Sequence, residues 1–512
     1  MCKRFYTVIS SALALSISAM FLLTACSGRE TEREIVVSPA AVTDSEQGNP
    51  LQLVWLTQEG WAEKMTGRRL GAVNQRIHEL GYDFEVVFEG INEDTYDDYQ
   101  QGITKAKENG RGDLMWTGYG DGDNPDAEGT YYRQIRLGNL LPLDDWLQTD
   151  MGKTLEEKYS TFDWERVTYK NKIYGVSNTR EPGAFFDLLL TGDQMQEGAG
   201  VLKGKADITI DELCEWMEEY RKDPEHKFYL NWRYGDGDEW YESFCKIGYI
   251  RLCDGVYMTS EGNVVNVWER EEVCRFWTCL AKMEQTGQLE CDDSDGLGEV
   301  QEGKYPAAFV TMGSEITDGS YLYQEDGSRV PAESHFVAAA YLNHMENSVH
   351  GVTSWSRHPE EAMQLLTLVN TDETLANLLC FGEEGTDYEK KEGKVFTYSP
   401  YEYCPANPRI TYPDISEVTP EEGKEAYYKK ANERYRFSPA EGFVPDLKKA
   451  GADSHVLQKV ERFYKKLLKG DGEPEQMIRN FQKELRDKKY GEVLEKIQRQ
   501  YDKWKKGKKH ED

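Results

Sequence analysis

Residues 113–118 read DLMWTG, a short apolar run that ends at a glycine. Two similar runs precede it, LQLVWL at 51–56 and FEVVFEG at 84–90. Between the runs, apolar residues recur at helical spacing: Val73, Ile77 and Leu80, then Tyr96, Tyr99, Ile103 and Ala106. This alternation of strands and helices predicts an α/β fold built on a parallel, doubly wound sheet.

Ligands of such sheets bind beyond the carboxyl ends of the strands. Glu59 and Trp61 follow the first predicted strand, and Trp116 and Tyr119 lie at the end of the third. Each aromatic residue has two roles open to it, ligand contact or packing in the core. We therefore treat all four residues as candidates for a binding site.

A second α/β region follows, and the chain ends in helices. We predict a helix that opens with a capping box at 209–212, strands at 307–313 and 335–342, and a helix that begins at Pro359. Two amphipathic C-terminal helices are predicted from apolar stripes over 457–467 and 490–504. The apolar residues of the C-terminal helices recur at helical spacing, which indicates that these helices pack against the rest of the protein. The chain is long enough for two domains or more.

The N-terminus has the layout of a secretory signal. A short basic start precedes an uncharged apolar run, and Leu23-Thr24-Ala25-Cys26 resembles a bacterial lipobox. We predict a signal peptide over residues 1–25 and a lipid on the Cys26 sulfur. Plain secretion with a bystander cysteine is the alternative. Residues 26–49 are too polar to fold and predict a flexible tether.

The formal charge of −31 argues against a nucleic-acid partner, because phosphate binding needs a basic surface. No C-x-x-C pair occurs, so zinc and thioredoxin-like chemistry are weakly supported. Disulfides are left open for the eight cysteines that remain after Cys2 and Cys26: Cys214, Cys245, Cys253, Cys274, Cys279, Cys291, Cys380 and Cys404.

Several stretches together carry a resemblance to a known family: GDLMWTG, GNLLPLDDWLQTDMGKTLEEKY, VTYKNKIYGVSN, SRHPEEAMQLLTLVNTDETLANLLCFGEEGTDYE and YGEVLEKIQRQYDKW. In this order they resemble the extracellular solute-binding proteins, family 1, of bacterial ABC importers. More narrowly, they resemble the lipoprotein subgroup with oligosaccharide-type importers. The resemblance covers most of residues 50–512.

The resemblance implies a two-lobed clamp in which each lobe is a doubly wound sheet with flanking helices. Lobe 1 would comprise residues 50–177 and 345–410, and lobe 2 residues 178–344 and 411–512, with the C-terminal helices packed on lobe 2. Such a clamp is a monomer that closes on an oligosaccharide and delivers it to the transmembrane subunits of an ABC permease. We expect no cofactor, no resident metal and no catalysis, and a position on the outer face of the cytoplasmic membrane.

A sugar site needs aromatic rings and polar groups on a largely preformed cleft. Residues 231–241, NWRYGDGDEWY, make Trp232 and Tyr234 candidates for a cleft-lining loop, with a surface turn as the alternative. Ser314 follows a predicted strand of the second lobe. Trp355 precedes a predicted helix and is expected near the hinge.

Other functions and ligands remain open. A surface glycan-binding lipoprotein without a transporter, a glycan-active enzyme, and a peptide-binding or sensor-linked protein of the same fold are the rivals. Uronic-acid oligosaccharides would be recognised by Arg180, Arg233 or Arg251. The acidic stretches 121–128 and 292–299 lack the spacing of a calcium loop, so solvated turns are expected there.

Lipidation depends on one thiol, which gives a direct test. Changing Cys26 to Ser should abolish incorporation of labelled lipid, because the diacylglyceryl group is attached through sulfur. Metabolic labelling with radioactive palmitate measures this. Cys2→Ser is the matched control and should keep the label; label that persists in the Cys26→Ser protein would contradict the prediction.

Overall fold

The structure is a computed structural model. The chain divides into two units, Met1–Asn49 and Pro50–Asp512, and all the described residues belong to the second. These residues are 50–92, 95–118, 130–178, 183, 185–192, 194–197, 200–230, 247–290, 305–312, 321–323, 329–339, 341–342, 348–391, 393–397, 404–413 and 423–508.

The strands, in chain order, are β1 (Leu51–Gln58), β2 (Phe84–Ile91), β3 (Leu114–Trp116), β4 (Thr168–Tyr169), β5 (Lys172–Ile173), β6 (Val176–Ser177), β7 (Phe185–Thr191), β8 (Phe228–Leu230), β9 (Ile250–Cys253), β10 (Val256–Met258), β11 (Val264–Val265), β12 (Leu289–Glu290), β13 (Ala307–Met312), β14 (Tyr321–Tyr323), β15 (Arg329–Ala339), β16 (Tyr341–Leu342), β17 (Val349–Val352), β18 (Tyr388–Lys391), β19 (Lys394–Thr397) and β20 (Arg436–Phe437).

The helices are α1 (Glu59–Lys64), α2 (Gly67–Glu79), α3 (Tyr96–Glu108), α4 (Thr130–Arg136), α5 (Asp144–Leu147), α6 (Asp150–Glu156), α7 (Thr161–Arg166), α8 (Gln194–Glu197), α9 (Ile210–Tyr220), α10 (Glu271–Gln285), α11 (Pro359–Thr371), α12 (Glu373–Cys380), α13 (Lys424–Asn432), α14 (Leu447–Ala450), α15 (Ser454–Lys469), α16 (Pro474–Asp487) and α17 (Tyr490–Lys508), and Val267–Glu269 form a 3-10 turn. Within these ranges we find no helix with the length and apolarity to cross a bilayer.

The first sheet has the strand order β2-β1-β3-β17-β6. β1 pairs in parallel with β2 and β3, as the DLMWTG, LQLVWL and FEVVFEG runs predict. β17 is antiparallel to β3 and to β6, so the sheet is mixed rather than parallel throughout. β17 runs in the other direction because the chain re-enters this sheet at the end where β3 and β6 finish.

Both faces of the first sheet are buried. Leu53 and Trp55 point to one hydrophobic cluster that includes α11 and α12, while Leu56 and Met115 point to another that includes α3 and α4. Successive strand residues face opposite sides, so cover on both sides requires the near-continuous apolar runs seen in the sequence. The predicted doubly wound α/β architecture is confirmed for this sheet.

The second sheet has the strand order β12-β8-β13-β7-β15-β14. β12, β8 and β13 are parallel, whereas β7 is antiparallel to both β13 and β15. Because β6 and β7 are consecutive, the chain passes from the first sheet to the second between them, and it returns before β17. The residue bounds of the two lobes stay a prediction.

The C-terminal helices complete the core of the second sheet region. Side chains of α15, α16 and α17 share one hydrophobic cluster with α9, α10 and β7. Glu461 of α15 accepts hydrogen bonds from the backbone of Gly255, from the Tyr257 hydroxyl at 2.8 Å and from Arg251 Nε at 3.2 Å. Sequence periodicity did not predict α16 or the small sheet β11-β10-β9, whose elements are short or strongly polar.

An aromatic stack lies where the two sheets meet. The Tyr435 ring stacks on Phe185, the first residue of β7, at 4.6 Å between centroids, and on Phe162 of α7 at 5.9 Å. Phe437 also stacks on Phe162, at 4.6 Å between centroids, and the Tyr435 hydroxyl donates to the Gly183 carbonyl at 2.7 Å. Residues of three distant chain segments therefore share one apolar contact.

A buried ion pair fixes the segment that carries this stack. Arg409, with a fully buried side chain, donates two hydrogen bonds of 2.6 and 2.7 Å to the two carboxylate oxygens of Asp163. Asn432 and Ser160 also donate to that carboxylate. Burial by itself would raise the pKa of Asp163, but the Arg409 charge and these hydrogen bonds outweigh it and hold the pKa below its usual range.

Removing one partner of this pair should destabilise the protein strongly. Arg409→Met leaves a buried, unpaired carboxylate, and we expect the free energy of unfolding to fall by about 3–5 kcal/mol. Urea unfolding measures it. Lys222→Met is the matched control, because Lys222 pairs with Glu219 on the exposed surface, and it should leave the unfolding midpoint nearly unchanged. Equal midpoints for the two variants would contradict the prediction.

Candidate functional site

The two sheets present corresponding edges where the chain passes between them. In the first sheet, β1, β2 and β3 end at one edge, and β6 ends and β17 begins at the same edge. In the second sheet, β8 and β13 end at the edge where β7 begins and β15 ends. The carboxyl ends of the parallel strands in both sheets therefore lie beside the crossing segments, where α/β proteins bind ligands.

Trp116 is the last residue of β3 and lies at this edge of the first sheet. Its side chain is only 3% exposed, and its ring meets Tyr99 edge-to-face at 6.2 Å between centroids. A Cβ atom at Gly118 would lie 1.8 Å from the indole ring, so this position has no room for a side chain. Trp116 is thus, like Trp61, a buried member of a hydrophobic cluster, and its ring packs in the core just below this edge of the sheet.

A polar network connects Trp116 to the crossing segments. The indole Nε1 lies 3.5 Å from Ser348 Oγ, a long hydrogen bond, and Ser348 Oγ donates to Asn178 Oδ1 at 2.5 Å. Asn178 Nδ2 donates to the carbonyl of Cys404 at 2.5 Å. Cys404 forms a disulfide with Cys380, the last residue of α12. Sequence reasoning missed Asn178 and Ser348, since no local pattern distinguishes small polar residues in loops.

Glu59 and Trp61 both follow β1, but their surroundings differ. Trp61 is 4% exposed and meets Phe88 edge-to-face at 4.7 Å between centroids, so it packs in the core. Glu59 is exposed at the start of α1 and lies against Gly90, at the end of β2. Of the two, Glu59 is the residue at the surface of the carboxyl edge.

Trp355 lies at the other end of the first sheet. Its Nε1 donates to the carbonyl of Arg111, which precedes β3, at 2.7 Å, and Lys107 lies over its ring. The structure therefore does not bring Trp355 and Trp116 together, and we leave Trp355 out of the proposed site.

The other predicted contacts lie outside the described residues: Tyr119, Trp232, Tyr234, Ser314 and the lipidation residue Cys26. The strands that precede Trp232, Tyr234 and Ser314 are described. β8 ends one residue before position 231, and β13 ends at Met312, both at the crossing edge of the second sheet. Ligand contact by these residues stays a prediction.

The described part of the chain brings no three His, Cys, Asp or Glu side chains together as metal ligands. The two acidic stretches, 121–128 and 292–299, lie outside it. A surface groove of about 720 Å³ is formed by α9, α10 and α16, away from the crossing edges. Its charges pair with one another, as Arg275 does with Glu218 at 2.8 Å, and its lining contains no aromatic ring.

A buried histidine lies beside Trp116 on the neighbouring strand. His350 is the register partner of Trp116 on β17, is 1% exposed, and accepts a hydrogen bond from Trp55 Nε1 at 3.1 Å through Nδ1. Burial lowers the pKa of His350 to about 3. The imidazole is therefore neutral at physiological pH, and its unprotonated nitrogen is required by the contact with Trp55.

This chain is similar to known proteins in part of its sequence and in its fold. Residues 439–506, which span α14 to α17, match a family described as "Domain of unknown function (DUF3502)". A carbohydrate ABC transporter substrate-binding protein of Streptococcus pneumoniae serotype 4 is 26% identical over 268 residues, 49% of this chain and 54% of that protein. This chain therefore spans about half the length of the curated relative it matches.

Among solved structures, the crystal structure of the N-glycan transport solute binding protein NgtS from Streptococcus pneumoniae is similar over 89% of this chain and 99% of that chain. The TM-score is 0.50 and the sequence identity 17%. The fold of this chain is thus similar to that of a solute-binding protein. The predicted resemblance to solute-binding proteins of carbohydrate ABC importers is thus matched by one curated relative and by one solved structure of similar fold.

The neutral state of His350 predicts a pH dependence of stability. In the unfolded chain a histidine takes up a proton near its ordinary pKa of about 6.5, whereas the native state resists protonation until about pH 3. Stability is fully present above pH 6.5 and falls as the pH drops below it. Between pH 7 and pH 5 this one group should remove about 2 kcal/mol from the free energy of unfolding.

The measurement is urea unfolding of the wild type and of His350→Gln at both pH values. The wild type should lose about 2 kcal/mol more than the variant. His455→Gln, at an exposed position, is the matched control and should lose as much as the wild type. Equal losses in the wild type and His350→Gln would show that His350 does not titrate in this way.

Proposed function

We propose that this chain is the extracytoplasmic solute-binding protein of an ABC importer and that it binds a carbohydrate between its two lobes. The observation that carries the proposal is the meeting of two sheet edges at the crossing segments. Hinge motion at such segments opens and closes a cleft around a ligand. Binding and release are sufficient for this role, so we propose no catalytic activity.

An oligosaccharide is the proposed ligand. The similar Streptococcus pneumoniae protein is named for carbohydrate transport, and the solved structure of similar fold is named for N-glycan transport. Aromatic rings stack on the flat C–H faces of sugars, and Tyr119, Trp232 and Tyr234 are the rings we propose for this role. Trp116 is itself buried, and we propose that it supports the ligand-contacting surface. Glu59 and Ser314 would supply polar contacts at the edges.

The cellular setting follows from the N-terminal sequence. We propose that residues 1–25 direct export, that a lipid on Cys26 anchors the protein, and that residues 26–49 act as a tether. Lobe 1 would comprise residues 50–177 and 345–410, and lobe 2 residues 178–344 and 411–512. The closed monomer would then deliver its ligand to the membrane subunits of a permease on the outer face of the cytoplasmic membrane.

A panel of oligosaccharides tests the ligand class. The non-lipidated Cys26→Ser protein is mixed with neutral, N-glycan-derived and uronic-acid oligosaccharides, and its melting temperature is followed. A ligand at 100 times its dissociation constant stabilises the native state by about 2.7 kcal/mol, a rise of about 3 °C for a chain of this size. We expect such a rise with one class of neutral oligosaccharide.

Two controls make the result specific. Trp61→Phe changes a core tryptophan outside the proposed contacts and should keep the affinity measured by calorimetry, whereas Trp116→Phe should weaken it. Chromatography of the sugars after long incubation should detect no products. Sugar breakdown would instead support an enzyme, and the absence of any shift across the panel would refute carbohydrate binding.

A further inference from the structure

The Cys380–Cys404 disulfide belongs to the hydrophobic cluster that covers one face of the first sheet, and the Cys404 carbonyl faces Asn178. It joins the end of α12 to a segment whose first described residue is Cys404 itself. The bond therefore fixes the position of the Cys404 backbone relative to the helices that cover the first sheet. Cys380 is buried, and Cys404 is half-buried.

The carbonyl of Cys404 has a specific partner. It accepts the hydrogen bond from Asn178 Nδ2, and Asn178 is the residue that follows β6, where the chain leaves the first sheet. The backbone N–H of Asn178 donates to the carbonyl of Ser348 at 3.1 Å. The segment that leaves the first sheet after β6 is therefore hydrogen-bonded to the segment that returns before β17. The disulfide thus holds the acceptor that orients the Asn178 amide.

Orientation of the amide matters because its two ends have different chemistry. With Nδ2 committed to Cys404, the Oδ1 atom points to Ser348 and accepts the proton of its hydroxyl. Ser348 Oγ then has its lone pairs left to accept from Trp116 Nε1 at 3.5 Å. If the amide turned over, Nδ2 would face the hydroxyl, and the serine could no longer donate in that direction.

We propose that the Cys380–Cys404 disulfide is a positioning element for Trp116, acting through Asn178 and Ser348, and that it thereby sets the ligand affinity of the clamp. The affinity part rests on the proposed function, whereas the positioning part does not. A dithiol reagent reduces the Cys380–Cys404 disulfide. The reagent gives two electrons and two protons, the S–S bond breaks to leave two thiols, and the reagent itself becomes a disulfide.

The positioning part is tested without ligand. The full chain is labelled with 5-fluorotryptophan, and the Trp116 ¹⁹F resonance is assigned by its loss in Trp116→Phe. We expect this resonance to shift or broaden in Cys380→Ser/Cys404→Ser and on reduction with dithiothreitol. The resonance of Trp268, in the hydrophobic core of the second sheet region, should stay in place. If the double variant does not fold, Asn178→Ala interrupts the same chain with the disulfide intact and should move the Trp116 resonance.

The effects of Asn178→Ala and of disulfide removal on the Trp116 resonance should not add. In the Asn178→Ala background, removal of the disulfide should cause no further movement of the Trp116 resonance, because the connecting amide is already absent. Cys214→Ser/Cys279→Ser, which alters two free buried cysteines of the second core, is the matched control for general destabilisation and should leave the resonance unchanged. An unmoved Trp116 resonance after disulfide removal would overturn the proposal.

The affinity part uses calorimetry with whichever oligosaccharide of the panel raises the melting temperature. Loss of the disulfide should weaken binding about three- to tenfold, the range for one disrupted hydrogen bond, at temperatures well below unfolding. An unchanged affinity would show that the disulfide only stabilises the fold. If no sugar binds, carbohydrate binding fails, and the ¹⁹F result still decides whether the disulfide positions Trp116.

Discussion

The buried pair of Arg409 and Asp163 is the constraint on which the meeting of the two sheets depends. Each charge would be heavily penalised alone in the interior, so the two segments that carry them must stay together. Asn432, the last residue of α13, donates to the Asp163 carboxylate, and the chain continues from there to Tyr435. The ion pair therefore sets where Tyr435 stacks on Phe185 and where the second sheet begins relative to the first.

The junction combines directional and non-directional contacts. Hydrogen bonds through Asn178 and Ser348 fix one point near Trp116, whereas the stack of Phe162, Tyr435 and Phe185 is held by dispersion and apolar burial. Such ring contacts tolerate small rotations better than hydrogen bonds do, because their energy depends weakly on direction. A joint with one fixed point and one adaptable face suits a protein that we propose to close on its ligand.

The segment that matches a family of unknown function has a defined structural role in this chain. Its helices α15 to α17 cover α10 and the small sheet, and the Glu461 carboxylate satisfies the Gly255 N–H that faces it. A Cβ at Gly255 would lie 2.3 Å from the Leu457 carbonyl, so helix and loop approach as closely as glycine allows. The segment completes the core of the second sheet rather than forming a separate body.

The sequence by itself determined the parts that depend on local periodicity and caps: the strands of DLMWTG and its two companions, the capping box at Thr209, Pro359 at the start of a helix, and the amphipathic C-terminal helices. It also placed Trp116 at a strand end. The tertiary structure alone decided that Trp61 and Trp116 are buried in the core, that Trp355 lies at the far end of β3, and that Cys380 pairs with Cys404. Those outcomes depend on contacts between residues far apart in the chain, and local patterns carry no information about such distances.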